Sequence, residues 1–249
     1  MSGMPAPRGL PREYVELQLR FAERFTILGL CDLEHAVLRY TTFFRRFGFG
    51  SPDAADTNDD WIRYSSTLVG LPTLAEQTAW TAEFAETLDA PSAAAHDKVR
   101  CGPFSGEVCD GILRTHFMPH DDDGLSPLDE SKRERRRAEL HTIVDMARDR
   151  HPGLVRVRGE SWLYNTRSYR ALFPPAHVAT AHTRTGTTRF QGSSAWGQFL
   201  DHRGDVKASL RATFLTALDR FDGSEPWRVF PLPTLIVDSP IEVFDHDRR

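Results

Sequence analysis

The densest chemistry in the sequence lies in RGESWLYNTRSYRALFPP, residues 158–175. Glu160, Ser161, Trp162, Tyr164, Asn165, Tyr169 and Arg170 bring a carboxylate, a hydroxyl, an indole, two phenols, an amide and a guanidinium into this short stretch. Glu160 can act as a general base if burial lifts its pKa toward neutrality, with Tyr164 or Tyr169 as the matching proton donor. Ser161, Trp162, Asn165 and Arg170 would then line the substrate pocket. The competing reading puts Trp162, Leu163 and Tyr164 in the core and pairs Glu160 with an arginine. Ser161 stands in Gly-Glu-Ser-Trp, and Leu163 occupies the position where a nucleophile elbow needs its second glycine, so the serine is not read as a hydrolase nucleophile.

His116, in Thr-His-Phe-Met-Pro-His, is a second candidate base or substrate partner. It and His120 would face the same way on a regular strand but stand about 13 Å apart. They could share a metal with Asp121, Asp122 and Asp123 only if the chain turned at Pro119. A solvated acidic loop is the plainer reading, and no metal is assigned. The run Lys132–Arg137 (KRERRR) reads first as a solvated helix face. It lies close after the 120–127 loop, however, so Arg135 and Arg136 are candidate contacts for a phosphate approaching that helix start. Trp196 and Gln198, in Trp-Gly-Gln-Phe-Leu-Asp, share one face of an expected strand and could line a pocket.

These groups need elements to hold them. Apolar residues at spacings of three and four predict helices through residues 12–48, broken at Gly29 and restarted by Asp32 as a cap, and again around Trp61–Leu68 and Leu74–Leu88. The small, polar segment 89–97 marks a boundary. Beyond it Gly111–Met118 reads as a strand. A helix capped by Ser126 runs to about His151, and Leu154–Arg158 is a strand leading into the Glu160 segment. A short helix holds Tyr169, Leu172 and Phe173. Residues 177–183, 188–200 and 229–237 read as strands, the last interrupted by prolines, and 205–221 as a helix. The fold class is therefore α+β, with a helical domain over 1–95 and a mixed α/β domain over 96–249.

Composition narrows the function. A net charge of −4 argues against a nucleic-acid partner, which calls for a basic excess. No run approaches the apolar length of a membrane span, and the first residues lack the apolar stretch of a secretory signal. Three cysteines, Cys31, Cys101 and Cys109, suit reduced thiols better than a disulfide framework, which together predicts a cytoplasmic protein.

One order of motifs resembles a known family. A strand ends in Thr-His-Phe-Met-Pro-His, a Ser-Pro-Leu loop opens a long helix that stops at His-Pro-Gly, and the next strand runs into Glu-Ser-Trp-Leu-Tyr-Asn. This is similar to the GNAT-like acyltransferase superfamily, in bacterial proteins that join a helical N-acyltransferase-type domain to a GNAT-like C-terminal domain. Their His-Ile-Pro-like and Ser-Trp-Leu-Leu motifs match His116–His120 and Ser161–Leu163. The chain also looks like a bacterial set sharing Ser-Trp-Leu-Tyr-Asn, Leu-Phe-Pro and Trp-Gly-Gln-Phe-Leu-Asp. The resemblance implies a splayed mixed sheet and transfer of an acyl group from acyl-CoA or an acyl carrier protein to an amine of a small-molecule substrate, with a specialised biosynthetic pathway as one setting and no tightly bound cofactor; a homodimer is left open. It departs at the phosphate loop. Asp121-Asp122-Asp123 would repel a pyrophosphate, and Pro127 removes an N–H donor. Two alternatives stay open: a cofactor-independent cyclase, lyase or hydrolase on the same scaffold, and a non-catalytic ligand- or partner-binding protein.

Overall fold

A computed structural model of the chain describes residues 9–88, 98–118, 121, 123–186, 189–190 and 194–246. The first helices are α1 (Arg12–Ile27), α2 (Leu33–Tyr40), α3 (Phe43–Arg46), α4 (Asp59–Gly70) and α5 (Leu74–Thr87). Strands β1 (Lys98–Cys101), β2 (Phe104–Cys109) and β3 (Ile112–Phe117) come next, then α6 (Arg133–Arg150) and β4 (Arg156–Ser161). Short helices α7 (Arg167–Arg170) and α8 (Pro175–Val178) lead to β5 (His182–Thr183). The chain ends with α9 (Ala208–Asp219), β6 (Leu235–Pro240) and α10 (Val243–His246).

The α+β class stands: helices precede an open, mixed six-stranded sheet. The chain packs as two compact units, but not as a simple front and back half. One comprises 1–93 with 185–231, the other 94–184 with 232–249. The expected division at 95/96 therefore differs, because 185–231 carries Phe190, Trp196, Phe199, Phe214, Phe221 and Phe230 into the helical core. Phe21 sits among these rings, edge-on to Trp196 at 5.6 Å and to Phe230 at 5.4 Å. Edge-to-face pairs of this kind add to the burial of large apolar area. The segment 89–97, read as the boundary, lies outside the described residues.

Local chemistry accounts for the helix limits. Asp32, Asn58 and Thr73 cap α2, α4 and α5, each accepting a hydrogen bond from the N–H three residues on. The second helix was expected to continue to Gly48. It breaks at Thr41, where the backbone turns extended, and the next N–H, that of Thr42, donates to the buried Gln18 Oε1 at 2.7 Å instead of to the helix ladder. Residues 188–200 were expected to form a strand. In fact Ser194–Phe199 is a 3-10 turn, whose three-residue repeat sends Trp196 and Phe199 inward together. The expected strand at 177–183 is reduced to β5, since Pro175 starts α8. Pro231 and Pro233 delay the last strand to Leu235.

In the sheet unit the strand order is β1-β2-β3-β4-β6-β5. The hairpin β1–β2 was not foreseen. Its turn uses Gly102 at φ +54°, where a Cβ would also overlap the Glu139 carboxylate. Asp110 and Gly111, both at positive φ, join β2 to β3, an Asp-Gly pair that suits a tight hairpin. Strands β3 and β4 are parallel, with α6 as their crossover. β6 enters antiparallel between β4 and β5. One face of the sheet is buried through Leu113, Val157 and Val237. The other carries Arg114, Arg158, Glu160 and His116.

Candidate functional site

Strands β3 and β4 pair from Ile112↔Arg156 to Thr115↔Gly159 and no further. Past that point His116 and Phe117 stay paired with β2, and Glu160 and Ser161 stay paired with β6. The sheet therefore splits between its parallel strands. The strand period of two puts His116 and Glu160 on the same, exposed face, one on each side of the opening. Unpaired strand ends leave backbone donors and acceptors for an extended ligand.

The apex of the split is unusual on its buried side. Tyr164, in the 3-10 turn Trp162–Asn165, directs its hydroxyl against Gly159, and a Cβ there would overlap it. The hydroxyl is buried and has no hydrogen-bond partner among the described residues. The side chains of Thr115 and Tyr169 are its polar neighbours, near enough to influence it but outside hydrogen-bond geometry. Burial raises the Tyr164 phenol well above its ordinary value, and the neighbouring Tyr169 adds to this. Tyr169 is raised too, by its own burial. The two rings meet edge-on at 5.0 Å in the core.

The other expected site residues fall as follows. Glu160 is not buried: it is exposed and pairs with Arg184, so the burial that would make it a strong base is absent. Ser161 accepts the Leu163 N–H at 3.1 Å, capping the turn. Trp162 is half-buried. His116 Nε2 stands 3.6 Å from Glu107. Asn165 Nδ2 donates to the carbonyls of Trp162 at 2.7 Å and Pro233 at 2.8 Å, leaving its Oδ1 as the spare acceptor. Trp196 and Gln198 do not join this group. Both belong to the helical unit's core, where Trp196 Nε1 donates to Tyr40 O at 2.9 Å and Gln198 Nε2 to Ala195 O at 2.8 Å.

The start of α6 is also not the expected phosphate cradle. Ser126 opens only a turn, and Asp129 caps a 3-10 turn, Glu130–Lys132, ahead of the helix. Arg136 is fully buried and bonds Asp121, Glu139 and the Pro127 carbonyl. Lys132 bonds Asp123 at 2.7 Å and Asp121 at 3.0 Å. Burial works to raise the Asp121 carboxyl, and the hydrogen bonds from Arg136 and Lys132 outweigh it and hold it below its ordinary value. Arg135 is exposed, 3.6 Å from Asp121. Carboxylates have thus taken the places a phosphate would fill. His120 and Asp122, considered as metal ligands, lie outside the described residues. Among the described residues no group of three metal-ligating side chains assembles.

Asn165 and Arg170, two of the residues expected to line a pocket, do meet at a cleft of about 540 Å³ beside the Trp162–Asn165 turn; Arg137 and Arg167 are the lining residues that sequence reasoning missed. Arg137, Asn165, Arg167 and Arg170 line it, over apolar ground that includes Phe173 and Val178. Arg167 and Arg170, at i and i+3 on α7, were there to be read as neighbours. Behind the cleft wall, His177 of α8 is buried with Nδ1 2.7 Å from Ser239 Oγ. Burial pulls its pKa down to about 4, against a weaker opposing pull from Asp238.

No family model, curated protein or solved structure matches the chain. No helix among the described residues is long and apolar enough to cross a membrane.

Proposed function

We propose that the sheet unit is a GNAT-like catalytic module that moves an acyl group from a CoA or carrier-protein thioester to the amine of a small molecule. The observation that carries this reading is the split between β3 and β4, with an unpartnered buried hydroxyl at its apex. The strand order, with a parallel pair crossed by α6 and the last strand inserted beside β4, supports it. So does the motif order His116–His120 and Ser161–Leu163.

The chemistry asks for two proton transfers. The amine nitrogen attacks the thioester carbonyl, and its proton leaves to a base at the mouth, His116. The carbon–sulfur bond then breaks, and the departing thiolate takes the proton of Tyr164. Tyr164 is protonated, as an acid must be at the start, and since burial makes the phenol a weaker donor than a free one, its assignment rests on its position at the apex. A thioester lying between the parted strands would be the first hydrogen-bonding partner of that hydroxyl.

A second reading, a cofactor-independent enzyme or a ligand-binding protein, draws on the carboxylates that fill the α6 start. Thiol release from an acyl-CoA panel with amine acceptors separates the two. Tyr164→Phe is expected to lower kcat by about 100-fold or more while leaving the melting temperature unchanged or higher, since it removes an unsatisfied buried hydroxyl. His116→Gln is expected to lower kcat with folding intact. An unchanged kcat in Tyr164→Phe would remove the acid assignment, and no thiol release with any acyl donor would leave the second reading.

A further inference from the structure

The cleft beside α7 brings three guanidinium groups to one cavity, and no Asp or Glu among the described residues lines it. This contrasts with several other arginines of the unit. Arg136, Arg156, Arg158 and Arg184 each meet a carboxylate. Arg167 and Arg170 meet none among the described residues, although Asp and Glu together outnumber Lys and Arg in the whole chain, 35 to 31. The like charges of Arg167 and Arg170, set one helical turn apart at the cavity, repel each other, and an entering anion relieves that repulsion.

We propose that this cleft is a binding site for a phosphate or pyrophosphate group carried by a small molecule. Arginine forks match phosphate oxygens two at a time, and a group carrying two or more negative charges answers several guanidiniums where a single carboxylate answers one. The volume lies within the range of small-molecule sites. The spare Oδ1 of Asn165 can accept from a hydroxyl or amide of the same ligand. The floor at Phe173 and Val178 gives its carbon skeleton an apolar surface. The site is distinct from the Asp121–Arg136 network, although Arg137 comes from the same helix, and it does not depend on acyl transfer, so it can stand if that reading fails.

The phosphate can arrive on the donor, as in CoA, or on a phosphorylated acceptor. Calorimetric titration of the full chain with inorganic pyrophosphate, CoA and pantetheine tests the site. Pyrophosphate is expected to bind saturably at low salt, with an affinity that falls as potassium chloride is raised. The double variant Arg167→Ala/Arg170→Ala should weaken it about tenfold or more, with an unchanged circular dichroism spectrum. If CoA displaces pyrophosphate and pantetheine does not, the donor's phosphates occupy the cleft. If pyrophosphate and CoA bind together, the occupant is a phosphorylated acceptor. Absence of pyrophosphate binding up to millimolar concentration, or undiminished binding in the double variant, overturns the proposal. Thiol release measured on the same variant keeps the two readings apart: turnover without pyrophosphate binding would retain the acyltransferase and discard this site.

Discussion

Two regions of the sheet unit are rich in basic side chains and have opposite fates. At the start of α6, Lys132 and Arg136 are buried in a network with Asp121, Asp123 and Glu139. At α7, Arg167 and Arg170 face a cleft without a carboxylate among the described residues. The first region spends its charges on holding the loop 121–129 against the helix. The second leaves them for something outside the chain. A basic run in a sequence therefore says little about ligands until its acidic neighbours are located in space.

The largest expected effect tests the first half of that contrast. Arg136→Ala leaves Asp121 and Glu139 facing each other across a buried gap, and the loss should be about 4 kcal/mol in urea unfolding. Arg135→Ala, one residue earlier but exposed, should change stability by less than about 0.5 kcal/mol. Equal effects from the two would break the comparison, because burial of the network is what separates them.

Acid titration sharpens it, since the two regions lose stability in different windows. His177, behind the cleft, has a native pKa of about 4 against 6.5 for the free side chain. The unfolded chain therefore takes up the proton first as pH falls. The stabilisation is complete above about pH 6.5 and disappears between there and about pH 4, amounting to about 3 kcal/mol. Asp121 and Asp123 are lowered as well, but from 3.8, so their contribution persists through that window and goes only at lower pH. His177→Phe, between the rings of Phe173 and Phe244, should flatten the pH 6.5–4 slope of the melting temperature. A slope unchanged in that variant would place the titrating group elsewhere.

How much of this could be read in advance depended on range. The helices α1, α4 and α5 and the strands β3 and β4 were legible because period and caps are local properties. So was the concentration of site candidates after β4. The unit division was not, because 185–231 joins the helical core through rings such as Phe190 and Trp196 that meet Phe21 from far along the chain. The same blindness misplaced Trp196 and Gln198 as pocket residues. The Asp110-Gly111 turn was a usable hairpin signal that would have exposed β2. The split at Thr115↔Gly159 has no sequence signature, since it depends on β2 and β6 pulling the two strand ends apart. Glu160 shows the limit from the other side: its type and place suggested a buried base, and only Arg184, on the far side of α8, shows it exposed and paired.

The smallest expected effect tests the second half of the contrast. Arg167→Ala and Arg170→Ala remove exposed side chains with no carboxylate partner among the described residues, so the ligand-free protein should change by no more than about 0.5 kcal/mol. The direction matters more than the size. If the guanidiniums repel one another, each truncation should leave stability equal or slightly higher at low ionic strength, and the difference should vanish as salt shortens the screening length to about 10 Å and below. Arg136→Ala would show the reverse sign and would keep most of its effect in salt, because a buried pair is screened far less. A loss of several kcal/mol in Arg167→Ala would mean that this arginine holds the fold as Arg136 does, and the distinction between the two regions would fall.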